Sequence, residues 1–136
     1  MSVAPSRILI VEDEMLVAFD LQAILEDLGH EPVGIVADLA AAEAFFEEAI
    51  DLALVDLNLR DGLTGPQIGE RLGARGVSVV FITANPRLLG DGIAGAIGVI
   101  TKPTDETIVK AAVDYALGVR SGRRNIAPPP ALKLFG

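Results

Sequence analysis

Cysteine is absent from the 136 residues, which excludes disulfide cross-links, thiolate metal sites and a cysteine nucleophile. No run approaches the roughly 18 apolar residues of a membrane-spanning helix. Residues 1–6 also lack the charged and apolar regions of a signal peptide. The expectation is a soluble, cytoplasmic protein that makes no membrane contact. Acids are also missing from the C-terminal stretch. Residues 120–136 carry Arg120, Arg123, Arg124 and Lys133 without a carboxylate, while all 19 acids precede them in a chain of net charge −8. An acidic body argues against nucleic-acid binding, because phosphate backbones require clustered Lys and Arg. The basic tail is too short to reverse that.

What is present suffices for one core. The chain is 51% hydrophobic and 22% charged, a balance that favours a single folded domain over disorder. The expected division is residues 1–120 as the domain and 121–136 as a basic, proline-containing tail. Five short runs rich in Val, Ile and Leu alternate with helical patterns. Arg7–Val11 reads as a buried strand that stops on Glu12-Asp13-Glu14. Val17, Leu21, Ile24, Leu25 and Leu28 mark one face of a helix closed by Gly29. A strand is expected around Val33–Val36, then a helix capped by Asp38 with Leu39, Ala42, Phe46 and Ala49 inward. Leu52–Val55 is a third strand ending on Asp56, and Pro66 suits the first turn of the helix after it. Val77–Thr83 is a fourth strand. Residues 88–96 have helical spacing, but Gly90, Gly92 and Gly95 each weaken a helix by about 1 kcal/mol, so a short, mobile one is expected. Gly98–Thr101 is the fifth strand, followed by Lys102-Pro103 and a long helix capped by Thr104.

Such alternation implies a parallel sheet with helices on both faces, and ligands then bind beyond the carboxyl ends of the strands. That rule gathers Glu12, Asp13, Asp56, Thr83 and Lys102 at one edge. Taken singly, each is an ordinary loop residue; their coincidence at four strand ends carries the inference. Three converging carboxylates repel one another and raise at least one pKa unless a cation sits among them. Hard oxygen ligands suit Mg²⁺. Asp56 has the chemistry of a nucleophile that forms an acyl phosphate, with Lys102 and the Thr83 hydroxyl as donors to the new phosphoryl oxygens.

Glu12-Asp13, Asp56, Thr83 and Lys102-Pro103, separated by 43, 27 and 19 positions from Asp13 onward, resemble the signature of response-regulator receiver domains in two-component signalling. The resemblance runs from Arg7 to Arg120. It implies a flavodoxin-like, doubly wound α/β fold with a five-stranded parallel sheet in the order 2-1-3-4-5. It also implies that Asp56 is the phosphoacceptor, supplied by a histidine kinase or histidine phosphotransfer protein. Asp13 and Asp56 would ligate Mg²⁺ with the backbone carbonyl of Asn58, Glu12 acting through water. Ala84 would leave the site open to donors, and the Lys102-Pro103 bond would be cis. The protein would be a signalling phosphoacceptor rather than an enzyme in the ordinary sense.

Two departures stand out. The family's usual Tyr or Phe three residues before the lysine is Val99 here. Asn58–Pro66 replaces the common Met-Pro with an Asp-Gly-x-Thr-Gly loop. His30, the only histidine, follows a helix-ending glycine and is expected at the surface. Asn85 reads either as a neighbour that steers water to the acyl phosphate or as a plain turn before Pro86.

The favoured function is a stand-alone receiver that signals by changing protein–protein contacts through the 88–120 face, a homodimer included. The alternatives are a relay or sink that only shuttles phosphoryl groups, and a receiver fragment of a larger regulator. A flavin- or nucleotide-binding module is disfavoured, because Glu12-Asp13-Glu14 occupies the loop that would cradle phosphate. No DNA-binding region follows residue 120, so direct transcriptional output is not expected. In the last helix, Ile108, Ala112, Ala116 and Val119 form one apolar stripe and Val109, Val113 and Leu117 a second. Either the core face is wide or the second stripe is an interface. Leu132, Leu134 and Phe135 end the tail beyond the stiff Pro128–Pro130, and the tail is expected to fold back over that helix.

Overall fold

Apolar side chains at consecutive positions of a strand point to opposite faces, and here both faces are covered. In β1 (Arg7–Val11), β3 (Leu52–Val55), β4 (Ser78–Thr83) and β5 (Ala96–Thr101), Leu9, Val11, Ala53, Val55, Val79, Phe81 and Val99 line one core. Ile8, Ile10, Leu52, Leu54, Val80, Ile82 and Ile100 line the other. That double burial is why these segments read as continuous apolar runs. The computed structural model describes residues 5–123 and 125–135; Arg124, counted above among the tail's basic residues, lies outside them.

The sheet order is β2-β1-β3-β4-β5-β6, with β2 spanning Glu31–Val36. The first five strands are parallel, as expected for the flavodoxin-like receiver fold. Edge strand β2 carries Pro32, and its register with β1 shifts between Ile8 and Leu9. Helix α1 (Met15–Asp27) and α4 (Glu106–Arg120) cover one face; α2 (Leu39–Glu43) and α3 (Gly65–Ala74) cover the other.

Several local expectations are corrected. Helix α2 keeps Asp38 as its cap, the carboxylate accepting from the Ala41 amide at 2.8 Å, but ends at Glu43. Phe45, Phe46 and Glu48 then bond three residues back, a tighter winding than the α-helix, and Ala49 is exposed. The 88–96 helix is replaced by a 3₁₀ turn at Pro86–Leu89, because Gly90, Gly92 and Gly95 all adopt positive φ, which ends helical winding. The cap of α4 is Asp105, accepting from the Ile108 amide at 2.9 Å, and not Thr104. Val109 and Val113 are buried with Ala112 and Ala116, while Val119 is exposed. The second stripe of α4 is therefore part of a wide core face.

The tail does fold back, but onto the sheet rather than along the helix. Ile126 lies against α4 at Gly118, where an added β-carbon would come within 3.0 Å of its Cδ1. Beyond Pro128–Pro130, Leu132–Leu134 forms β6, a sixth strand antiparallel to β5 that pairs Lys133 with Val99. Leu132 is buried on the α1–α4 side, whereas Phe135 packs into the opposite core. The tail thus straddles the sheet edge. Gly98 permits it, since a side chain there would strike the Lys133 carbonyl.

Candidate functional site

Because β1, β3, β4 and β5 are parallel and adjacent, their carboxyl ends open on one edge of the sheet. Glu12 follows β1, Asp56 follows β3, Thr83 ends β4 and Lys102 follows β5. Main-chain bonds between neighbours hold these ends in line: the Asp56 amide donates to the Val11 carbonyl at 2.9 Å, and the Lys102 amide to the Thr83 carbonyl at 2.8 Å.

Carboxylate oxygens of Glu12, Asp13 and Asp56 all lie within 4.8 Å of one another. Glu12 is 2% exposed and Asp56 8%. The Lys102 ammonium donates to Glu12 at 2.7 Å and to Asp56 at 2.9 Å. Burial pushes the Glu12 carboxyl above its ordinary value despite the Lys102 bond, and the nearby Asp56 charge adds to the rise. Burial alone would depress Lys102, but its hydrogen bonds to Glu12 and Asp56 outweigh that and hold it above the ordinary lysine value. One ammonium therefore serves two carboxylates, and the third, Asp13, is left without a cation in this arrangement among the described contacts. A cluster of hard oxygens with surplus negative charge fits a divalent cation of the Mg²⁺ type.

The other Asp56 oxygen accepts from the Leu57 amide at 2.7 Å. The Thr83 side chain is buried, and its hydroxyl accepts from the Asn85 amide at 3.1 Å. Asn85 therefore has a turn role, while its side chain stays exposed. Ala84 and Asn58 are exposed beside the site. The Lys102-Pro103 bond is cis. Val99 is buried with no aromatic ring at that position. His30 is half-buried, its Nδ1 accepting from the Ser6 amide at 3.1 Å, far from this edge in the fold.

Asp61 went unassigned in the sequence. It accepts from the Thr64 hydroxyl at 2.6 Å and the Leu39 amide at 3.1 Å, tying the loop after Asp56 to the start of α2. The Thr64 bond holds its carboxyl below the usual range. The Asp-x-x-Thr spacing was the available signal, since short polar side chains close turns on their own loop. An apolar groove of about 500 Å³ also runs beside the site, lined by Leu16, Val17, Leu21, Ala84, Lys102 and Pro103.

Comparison with known proteins agrees with this geometry. Residues 8–114 match the response regulator receiver domain family. Phyllosphere-induced regulator PhyR of Methylorubrum extorquens is 36% identical over 124 residues, covering 88% of this chain and 46% of that protein. The chain thus spans about half the length of that relative. The receiver domain of Erythrobacter litoralis PhyR superposes with a TM-score of 0.76 at 33% identity, covering 91% of this chain and 96% of that one. SdrG from Sphingomonas melonis Fr1 gives 0.68 at 36% identity, covering 85% and 99%. With the family matched over most of its length and the strand-end residues in place, the chain belongs to the response regulator receiver domains of two-component signalling.

Proposed function

We propose that Asp56 accepts a phosphoryl group from a phosphohistidine on a histidine kinase or phosphotransfer protein, and that the modified domain signals by altering protein contacts. The observation that carries this is the Asp56 carboxylate, held between Lys102 at 2.9 Å and the Glu12–Asp13 pair. An Asp56 oxygen attacks phosphorus in line, the phosphorus–nitrogen bond to histidine breaks, and the imidazole leaves. Phosphoryl transfer asks for little beyond positioning and charge stabilisation. Lys102 exchanges its carboxylate partners for a phosphoryl oxygen, and Thr83 supplies a directed hydrogen bond.

Glu12, Asp13 and Asp56, with the Asn58 backbone carbonyl, would hold Mg²⁺, whose charge offsets that of the incoming group. A protein donor is supported by the groove beside Lys102 and by the exposed Leu16 (87%) and Phe19 (53%) on α1. Residues 1–120 would form the receiver and 121–136 its tail, working in the cytoplasm; among the described residues no helix is long and apolar enough to cross a membrane. Proteins of this family act as signalling proteins rather than ordinary enzymes. PhyR of Bartonella quintana is described as an anti-anti-sigma factor, but this chain matches 51% of it, and we extend only the phosphoacceptor role. A docked tail favours signalling output over a pure relay.

Acetyl phosphate with Mg²⁺ should add one phosphoryl group by intact mass. The addition should vanish in Asp56→Ala or with a chelator. Full modification of the alanine variant would place the acceptor elsewhere.

A further inference from the structure

The tail docks on the segments that flank Thr83. Phe135 tilts against Phe81 with ring centroids 6.3 Å apart, and Phe81 lies two positions before Thr83 on β4. Phe135 also leaves Gly92 no room: a β-carbon there would lie 2.6 Å from the Phe135 Cγ. Gly92 belongs to the turn segment that follows Thr83. The Phe135 amide donates to the Ile97 carbonyl at 3.0 Å, which pins the ring where β4, β5 and that segment meet. The aromatic side chain missing at Val99 is thus matched by one that the tail carries into the same core, alongside Val99, Leu89 and Ile93.

With the tail docked, the Thr83 hydroxyl accepts from the Asn85 amide at the head of the turn at 3.1 Å. A phosphoryl group on Asp56 offers the hydroxyl a charged acceptor. Turning toward it withdraws Asn85's partner and loosens the 85–92 turn. A shift of Gly92 in either direction then spoils a close-packed contact.

We propose that Leu132–Phe135 is a displaceable strand that reports on Asp56: docked on β5 when Asp56 is free, and released when Asp56 is phosphorylated. Release uncovers the β5 edge for strand addition. The partner that then fits is an extended protein segment that pairs with β5 and places a leucine where Leu132 now sits, without the aromatic that the shifted Gly92 segment no longer accommodates. The inference rests on the phosphoacceptor role proposed above.

The test uses the full chain with acetyl phosphate and Mg²⁺, reading the intact mass, hydrogen exchange at the Phe135 amide, and binding of a synthetic Ala-Leu-Lys-Leu-Ala-Gly peptide, the tail segment with its aromatic replaced by alanine. Phosphorylation should speed Phe135 exchange by about tenfold or more, the ordinary range of site-to-site coupling, and the peptide should bind the phosphorylated chain alone. Coupling is reciprocal, so Phe135→Ala should tighten binding of beryllofluoride, a phosphoryl mimic, by the same factor, whereas Leu134→Ala, at an exposed position, should not. If mass shows no phosphoryl group on Asp56, the proposed function fails and the coupling with it. A modified chain with unchanged Phe135 exchange, or a Phe135→Ala variant with unaltered beryllofluoride affinity, overturns the coupling alone.

Discussion

Lys102 holds together two acids that would otherwise face each other across a buried strand edge. Its side chain is 17% exposed and that of Glu12 only 2%, so removing the ammonium strands a charge that water cannot reach. Lys102→Met should destabilise the metal-free protein by about 3 kcal/mol at neutral pH, the usual loss when one partner of a buried pair is removed. The pH dependence follows from the direction of each shift. Lys102 sits above its ordinary 10.5 in the folded protein, so its contribution is complete below that value and is lost as pH rises through the raised one. Glu12 is also raised, so its protonation is favoured by folding, and the gap between wild type and variant should narrow in acid. Denaturant melts of both proteins in acid, at neutral pH and above the lysine range check this. A gap that is constant across pH would separate Lys102 from the stability of the cluster.

At the scale of elements, the start of α3 sets the backbone of the phosphoacceptor loop. A β-carbon on Gly65 would strike the Asp56 carbonyl and approach the Leu57 Cα to 2.5 Å. Gly65→Ala should therefore lower stability by about 1–3 kcal/mol, the range for overpacking, and slow Asp56 phosphorylation. Gly73→Ala, where the nearest atom would be at 3.3 Å, should do neither to a comparable degree. Melts and the phosphorylation time course distinguish the two variants. Strands β1, β3, β4 and β5 were legible because burial on both faces leaves continuous apolar runs, and the site was legible because each of these runs stops on a polar or charged residue. Elements governed by the backbone or by tertiary contact were not. The glycines at 90, 92 and 95 warned of a weak helix, yet only their positive φ reveals a 3₁₀ turn. Thr104 and Asp105 are both good caps, and nothing local chooses between them. Strand β6 has three residues, and its pairing depends on the open side of β5. Asp61 reads as a loop acid until its bond to the Leu39 amide is seen.

Across the whole molecule, the tail closes a sheet edge with two side chains on opposite sides, Leu132 and Phe135. Deleting residues 126–136 should lower stability by about 3 kcal/mol, within the range for losing large buried side chains. It should also raise self-association, since it bares a strand of unpaired backbone groups. Thermal melts and sedimentation measure the two effects, and a deletion without either would reduce the tail to a passive linker. The opposite edge is guarded differently. Pro32 deprives β2 of one amide donor and sits beside a break in register, both of which discourage further pairing. The two borders of the sheet are therefore unequal, one blunted permanently by an imino acid and the other only by a strand that can leave. Copies meeting through freed β5 borders would satisfy each other about a two-fold axis and present only proline-blunted rims outward. Growth would end at a closed pair, and a fibril would find no second sticky border from which to extend.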